Sequence, residues 1–318
     1  MATRSTDARR APVAAAPAPP GRSHLWSKIV QHRWGYIFVA PWVLLYLVFG
    51  IYPLVLSFYL TFFTYSFVRP QDLSFVGLGN WINGLQDPLF WQSVFNIFYN
   101  QVIFIVLTLG LGLISALLLK QITWGGRIFR TIYFIPVVTS VIVLMTLGSY
   151  VVGPTGPLQN LVVRLGLADA PVFWQSTFWL PMPIIAMINA WKWFGVSTVI
   201  ILAGLYSVDP QLYEAASLDG ANAWDKFRAI TVPQLMPQLF FLLVVDVING
   251  LQMFGEVYAL FDIYGGNRHQ ALTPVLYLYA QAFDRSNMGY ASTLGLQLAA
   301  LIAFMTVMQF RFVRQEAE

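Results

Sequence analysis

Three ionisable side chains stand inside long apolar runs: Lys192 in "NAWKWFG", Glu256 in "LQMFGEVY", and Asp246 about ten residues before that glutamate. Charge is expensive in an apolar medium, so such residues pair with one another or serve a site. A lysine and two carboxylates could form a buried ion pair or relay protons. They could equally line the path of a polar solute, because Trp191 and Trp193 flank Lys192 and aromatic faces stack on sugar rings. Other chemistry is absent. The chain has no cysteine, which excludes disulfides and thiolate catalysis. His24, His32 and His269 form no metal-binding spacing, so no catalytic or metal-ligating residue is assigned. None of the four lysines, Lys28, Lys120, Lys192 and Lys226, follows a glycine, so the phosphate loop ending in Gly-Lys-Ser/Thr is missing.

The elements that must carry these residues are membrane helices. Of the 318 residues, 58% are hydrophobic and only 10% charged, against about 25% charged in soluble domains. Runs of about 20 apolar residues span a bilayer. Six occur: 35–63, 91–119, 131–152, 178–205, 235–261 and 292–312. Basic residues sort by side. Thirteen of the 18 lie in the N-terminal arm, the second and fourth connections and the C-terminus, and four lie in the odd-numbered connections. Basic residues favour the cytoplasmic face, so both termini and the fourth connection are expected inside. The Ala/Pro/Arg-rich segment 1–25 reads as a disordered cytoplasmic tail, and 26–318 as one six-helix transmembrane domain. A barrel would need roughly 10-residue alternating segments instead. The fold class is an all-α integral membrane protein.

The fourth connection gathers polarity. "LYEAASLDGANAWDKFRAITVPQ", Leu212 to Gln234, holds five charges: Glu214, Asp219, Asp225, Lys226 and Arg228. Asp209-Pro210 reads as an N-cap and first helical residue, with a short helix running on to Asp219. Gly220 suits the left-handed conformation that ends a helix. Asn222 with Asp225 three residues on caps a second helix, on which Trp224, Phe227 and Thr231 share a face. Pro233 stops that helix or starts the next span. The unit is too small to fold alone, so its apolar face needs a partner.

The order Glu214-Ala215-Ala216, Gly220, Ile230, Val232, Pro233 resembles the EAA loop of membrane subunits of ABC importers. Its place after the fourth of six spans fits. "FVGLGNWINGLQDPLFWQSVFN" and "FGEVYALF" are similar to the carbohydrate branch, the maltose and glycerol-phosphate class. Val232 departs from the leucine common there. The resemblance implies the type I, maltose-transporter-like permease fold in a prokaryotic inner membrane. It also implies a second permease, two ATP-binding subunits, an extracytoplasmic solute-binding protein and a sugar substrate. The chain itself holds no cofactor, ATP being bound by the partner ATPase. In such importers the loop (209–233 here) seats in the ATPase, so Glu214, Ala215, Ala216, Asp219, Gly220, Ile230 and Pro233 are the expected coupling residues. Sugar contacts in the resembling family fall on Trp193, Phe254 and Gly255. Gly255 replaces an Asp or Asn often found there; either solute contact here is weak, or Glu256, Gln252 and Asn249 take over, with Tyr258 also expected on the substrate path. The extended connection Arg69–Asp87 marks the longer of two paired permeases.

Two other readings differ in a testable feature. An ion-driven transporter would use Lys192, Asp246 and Glu256 as a relay, but would have no ATPase to engage the EAA order. A membrane enzyme would need a catalytic constellation that is absent. A glycerol-phosphate or polyol permease stays open as a variant of the first reading.

Overall fold

The computed structural model describes residues 32–122, 125–167 and 169–316, without the side chains of 312–316. The segment expected to be a tail, 1–25, lies outside the described residues. The chain divides into two units, one ending at Leu56 and one beginning at Ser57.

Helix α1 runs Arg33–Leu60 and widens to a π turn over Leu47–Ile51. Its face at Trp34, Phe38, Trp42 and Phe49 is exposed, as suits a helix whose solvent is lipid. A two-stranded hairpin follows, β1 (Phe63–Thr64) antiparallel to β2 (Ser74–Phe75). Next come α2 (Gly79–Gln86) and the long α3 (Pro88–Gln121). Asp87 caps α3, its Oδ1 accepting from Leu89 N at 2.9 Å. Its Oδ2 accepts from Tyr277 at 2.5 Å and Tyr290 at 2.6 Å, fastening the start of α3 to two segments almost 200 residues away. Burial, reinforced by Asp87, pushes the Tyr277 hydroxyl up to about 12, so it stays a donor at every physiological pH.

Amide side chains on α3 tie it to its neighbours. Asn96 donates to the carbonyls of His269 (2.9 Å) and Leu272 (3.0 Å), Asn100 to Met182 (2.8 Å), and Gln101 to Asp246 (2.8 Å). In an apolar solvent such bonds supply part of the cohesion that hydrophobic burial supplies in water.

The third expected span, 131–152, is two helices: α4 (Gly126–Val138) and α5 (Val141–Val152). Thr139 and Ser140 are extended, with ψ of 139° and 136°. Pro136 lacks the N–H of a regular turn and sits just before the break. A short helix, α6 (Pro157–Arg164), follows this span, and α7 (Pro181–Ser207) is the fourth span.

Helix α8 (Pro210–Leu218) is the EAA helix, and α9 runs Ala223–Gly250. The second loop helix is therefore not separate. It continues into span five through a π turn at Phe227–Thr231. Pro233 cannot donate to the preceding turn, and the widened turn just before it absorbs that lost bond. The fifth span ends earlier than expected from the run 235–261. It stops at Gly250, leaving α10 (Gly255–Tyr258) as a separate turn and Glu256 outside the continuous helix. Then α11 (Pro274–Tyr279) leads through a π turn to α12 (Met288–Glu316), the sixth span.

A cluster of buried side chains unites the inner ends of α3, α7 and α9: Ala116, Leu119, Ile201, Leu202, Leu205, Leu235 and Leu242.

Candidate functional site: a polar cavity and a coupling loop

A cavity of about 370 Å3 opens between α3, α7 and α9, with α10 at one end. Trp193, Asn249 and Glu256, all singled out from the sequence, line it together with Asp246. Gln101, Phe104, Asn189 and Ser197 also line it and were not singled out. Gln101 and Asn189 are neutral amides inside apolar helices. They carry no charge to betray them, and an amide at helical spacing reads as packing.

Other expected residues lie elsewhere. Trp191 is exposed, as are Gln252, which donates to Ile248 O at 2.8 Å, and Tyr258. Phe254 stacks on Tyr258 with ring centroids 5.3 Å apart. Gly255 lies against Val141, whose Cγ1 would meet an added Cβ at 3.2 Å.

Lys192 is buried and does not line the cavity. Its Nζ donates to the carbonyl of Thr139 at 3.2 Å, and it lies 5.6 Å from the Trp193 ring centroid. Asp246 Oδ2 is buried without a partner, so this pair of charges is not an ion pair. The break between α4 and α5 explains the lysine. A helix end in an apolar medium leaves carbonyls unsatisfied, and a cation at a C-terminus also meets the favourable end of the helix dipole.

At the other end of α7 stands the loop. Asp209 Oδ1 accepts from Gln211 N at 2.9 Å, the N-cap read from the sequence. Gly220 has φ of 81°, the left-handed value expected of it. Asn222 Oδ1 accepts from Trp224 N (2.8 Å) and Asp225 N (3.1 Å), and Asp225 returns a bond to Asn222 N at 3.1 Å, a complete capping box. Lys226 Nζ donates to Ser217 Oγ at 2.6 Å and joins the two helices across the turn. Glu214, Ala215 and Asp219 are exposed, and Ala216 and Ile230 are half-buried. Leu218 is 90% exposed and Trp224 65%.

The loop is bolted to the span ends by Thr231, read from the sequence only as part of a helix face, and by Tyr213 and Lys120, which the sequence does not mark for such a role. Tyr213 OH shares a hydrogen bond of 3.0 Å with the buried Thr231 Oγ1. Lys120, at the end of α3, lies 5.1 Å from the Tyr213 ring centroid and donates to Leu205 O at 3.1 Å. One tyrosine thus links the EAA helix to the inner ends of α3, α7 and α9. Among the described residues no group of His, Asp or Glu is arranged to hold a metal ion.

Six membrane-length segments, a cavity with convergent polar groups between three of them and a capped loop define a solute permease. Residues 108–317 match the family model described as the binding-protein-dependent transport system inner membrane component, and the chain belongs to that family. It is 33% identical to the lactose transport system permease protein LacF of Rhizobium radiobacter, over 88% of this chain and 94% of that one. It is 32% identical to the arabinooligosaccharides transport system permease protein AraP of Bacillus subtilis (strain 168), over 87% of each. A chain from the crystal structure of a bacterial ABC transporter involved in the import of the acidic polysaccharide alginate shares the fold. The TM-score is 0.78 at 21% identity, covering 93% of this chain and all of that one.

Proposed function

We propose that this chain is one permease subunit of an ATP-driven sugar importer in a prokaryotic inner membrane. It forms half of the translocation pathway and pairs with a second, different permease. Two ATP-binding subunits engage it from the cytoplasm, and an extracytoplasmic binding protein delivers the solute. The relatives named for lactose and arabinooligosaccharides support a saccharide. The chain supplies no ATP site of the phosphate-loop kind, so the motor is a partner.

The observation that carries this reading is the loop's surface. Leu218 and Trp224 expose large apolar side chains in the same loop as Glu214, on the short α8 and the start of α9, joined by a left-handed glycine and a capping box. A surface of this kind on a loop without its own core is built to be covered. Glu214 is placed to accept charge-assisted bonds from a basic group in the cleft that covers it. Closure of the ATPases on ATP then moves the loop as a unit, a two-state displacement driven from outside the membrane. Trp193, Asn249 and Glu256 belong on the solute path, with Asp246 and Gln101.

The test is co-purification and uptake. Glu214→Lys should leave insertion and permease pairing intact while abolishing capture of the ATP-binding subunit and ATP-dependent uptake. Wild-type capture and uptake by this variant would reject the coupling role.

A further inference from the structure

Among the described residues the cavity's ionisable groups are both carboxyls, and that charge character selects a solute; the inference rests on the solute path proposed above. Gln101 Nε2 donates to the backbone oxygen of Asp246 at 2.8 Å, which fixes the amide and leaves Oε1 as its free end. That oxygen is buried without a partner, as are Asn189 Oδ1 and Asp246 Oδ2. Gly250 makes room for Gln101, since an added Cβ there would lie 1.9 Å from Gln101 Oε1. Glu256 adds a second carboxyl to the lining. Among the described residues no lysine, arginine or histidine lines the cavity, and Lys192, the nearest in sequence to Trp193, is committed to Thr139.

The three lining atoms buried without a partner are all acceptors. A buried acceptor left unmade is unfavourable, so a solute with hydroxyl donors fits. A sugar carboxylate or phosphate brings hydroxyls too, but adds negative charge. Inside a low-dielectric cavity like charges repel far more strongly than in water. Protonated or ionised, neither Asp246 nor Glu256 supplies a positive charge to offset this. We propose that the cavity selects an uncharged, hydroxyl-rich saccharide and excludes sugars bearing carboxylate or phosphate. The O–H groups of the solute donate to Gln101, Asn189 and Asp246, while Trp193 and Phe104 offer aromatic faces to the ring.

The chain has no cysteine of its own, so a single introduced thiol reports the cavity's field. Val245→Cys, which lines the cavity, is placed in the assembled importer with cysteine-free partners. It is treated with methanethiosulfonates of similar size carrying a trimethylammonium or a sulfonate group. The ratio of the two rates is compared with that at exposed Ser217→Cys. The cationic reagent should be favoured at position 245 by about tenfold over the reference, in the range of electrostatic focusing in clefts. Adding Glu256→Gln, or Glu256→Gln with Asp246→Asn, should reduce that preference stepwise, and the single change keeps the test available if the double variant does not assemble. Digalacturonate and glycerol 3-phosphate should fail to protect the thiol, whereas lactose should slow its modification. A sulfonate rate equal to or above the cationic one, with lactose still protecting, overturns the charge selection but leaves the path intact. Protection by either acid overturns it too. A thiol inert to both reagents while Ser217→Cys reacts removes the path, and the inference with it.

Discussion

Gly220 and Lys192 carry more than their size suggests, for different reasons. Nothing lies within 4 Å of a Cβ built on Gly220, so space is not the constraint there. The backbone is, at φ of 81°, where a β-branched residue is strained by about 1–3 kcal/mol. Asparagine tolerates the left-handed region better than other non-glycine residues. Gly220→Asn should therefore keep most uptake, while Gly220→Val should insert normally yet lose coupling between ATP hydrolysis and uptake. Equal uptake by the two variants would show that the turn's handedness is irrelevant. Lys192 does its work on a carbonyl. Lys192→Met should leave Thr139 O unsatisfied at about 1–3 kcal/mol and lower the Tm and the membrane level of the assembly. Lys192→Arg should recover part of that loss. A stable Lys192→Met protein with impaired uptake alone would move the lysine back to the solute path.

At the scale of elements, the loop's value lies in how firmly its helix is rooted. Tyr213 joins α8 to Thr231 by a hydrogen bond and to Lys120 by its ring face. A cation over an aromatic ring contributes about 0.5–2 kcal/mol depending on burial, and one neutral hydrogen bond about 1 kcal/mol. Neither is needed to fold the spans, which the cluster around Leu205 and Leu235 holds. Lys120→Ala and Tyr213→Phe should thus assemble and retain the ATP-binding subunit, but move less solute per ATP hydrolysed. Tyr213→Phe keeps the ring and should be the milder of the two. An unchanged ratio of uptake to hydrolysis in Lys120→Ala would make this contact a mere packing detail.

For the whole molecule, the distribution of basic residues sets the orientation. Single cysteines at Gln159 and Gly266 should react with an impermeant thiol reagent in intact cells, or in spheroplasts if an outer membrane is present. A cysteine at Ser217 should react only after the membrane is opened. Labelling of Ser217→Cys alone in intact cells would invert the topology.

The hydropathy runs, the EAA order, the caps at Asp209 and Asn222 and the left-handed Gly220 are all local. Each depends on residues within a few positions, so the sequence by itself determined six spans and a capped loop after the fourth. The sequence and the family resemblance also singled out Trp193, Asn249 and Glu256, which the structure places on the wall of the cavity. Where local signals conflicted, tertiary structure decided. The hydrophobic run at 131–152 conceals a break at Thr139, and the break makes sense only with Lys192 beneath it. The run at 235–261 conceals the end of α9 at Gly250, where the amide of Gln101 from another helix lies against the glycine. Gln101, Asn189, Lys120 and Thr231 are ordinary residues in their own helices. Gln101 and Lys120 acquire roles through partners 145 and 85 positions away, Asn189 on the wall of the cavity, and Thr231 through Tyr213, 18 residues off. A one-dimensional pattern records which face of a helix is apolar; it does not record which helix meets that face, and in a lipid solvent every face is apolar.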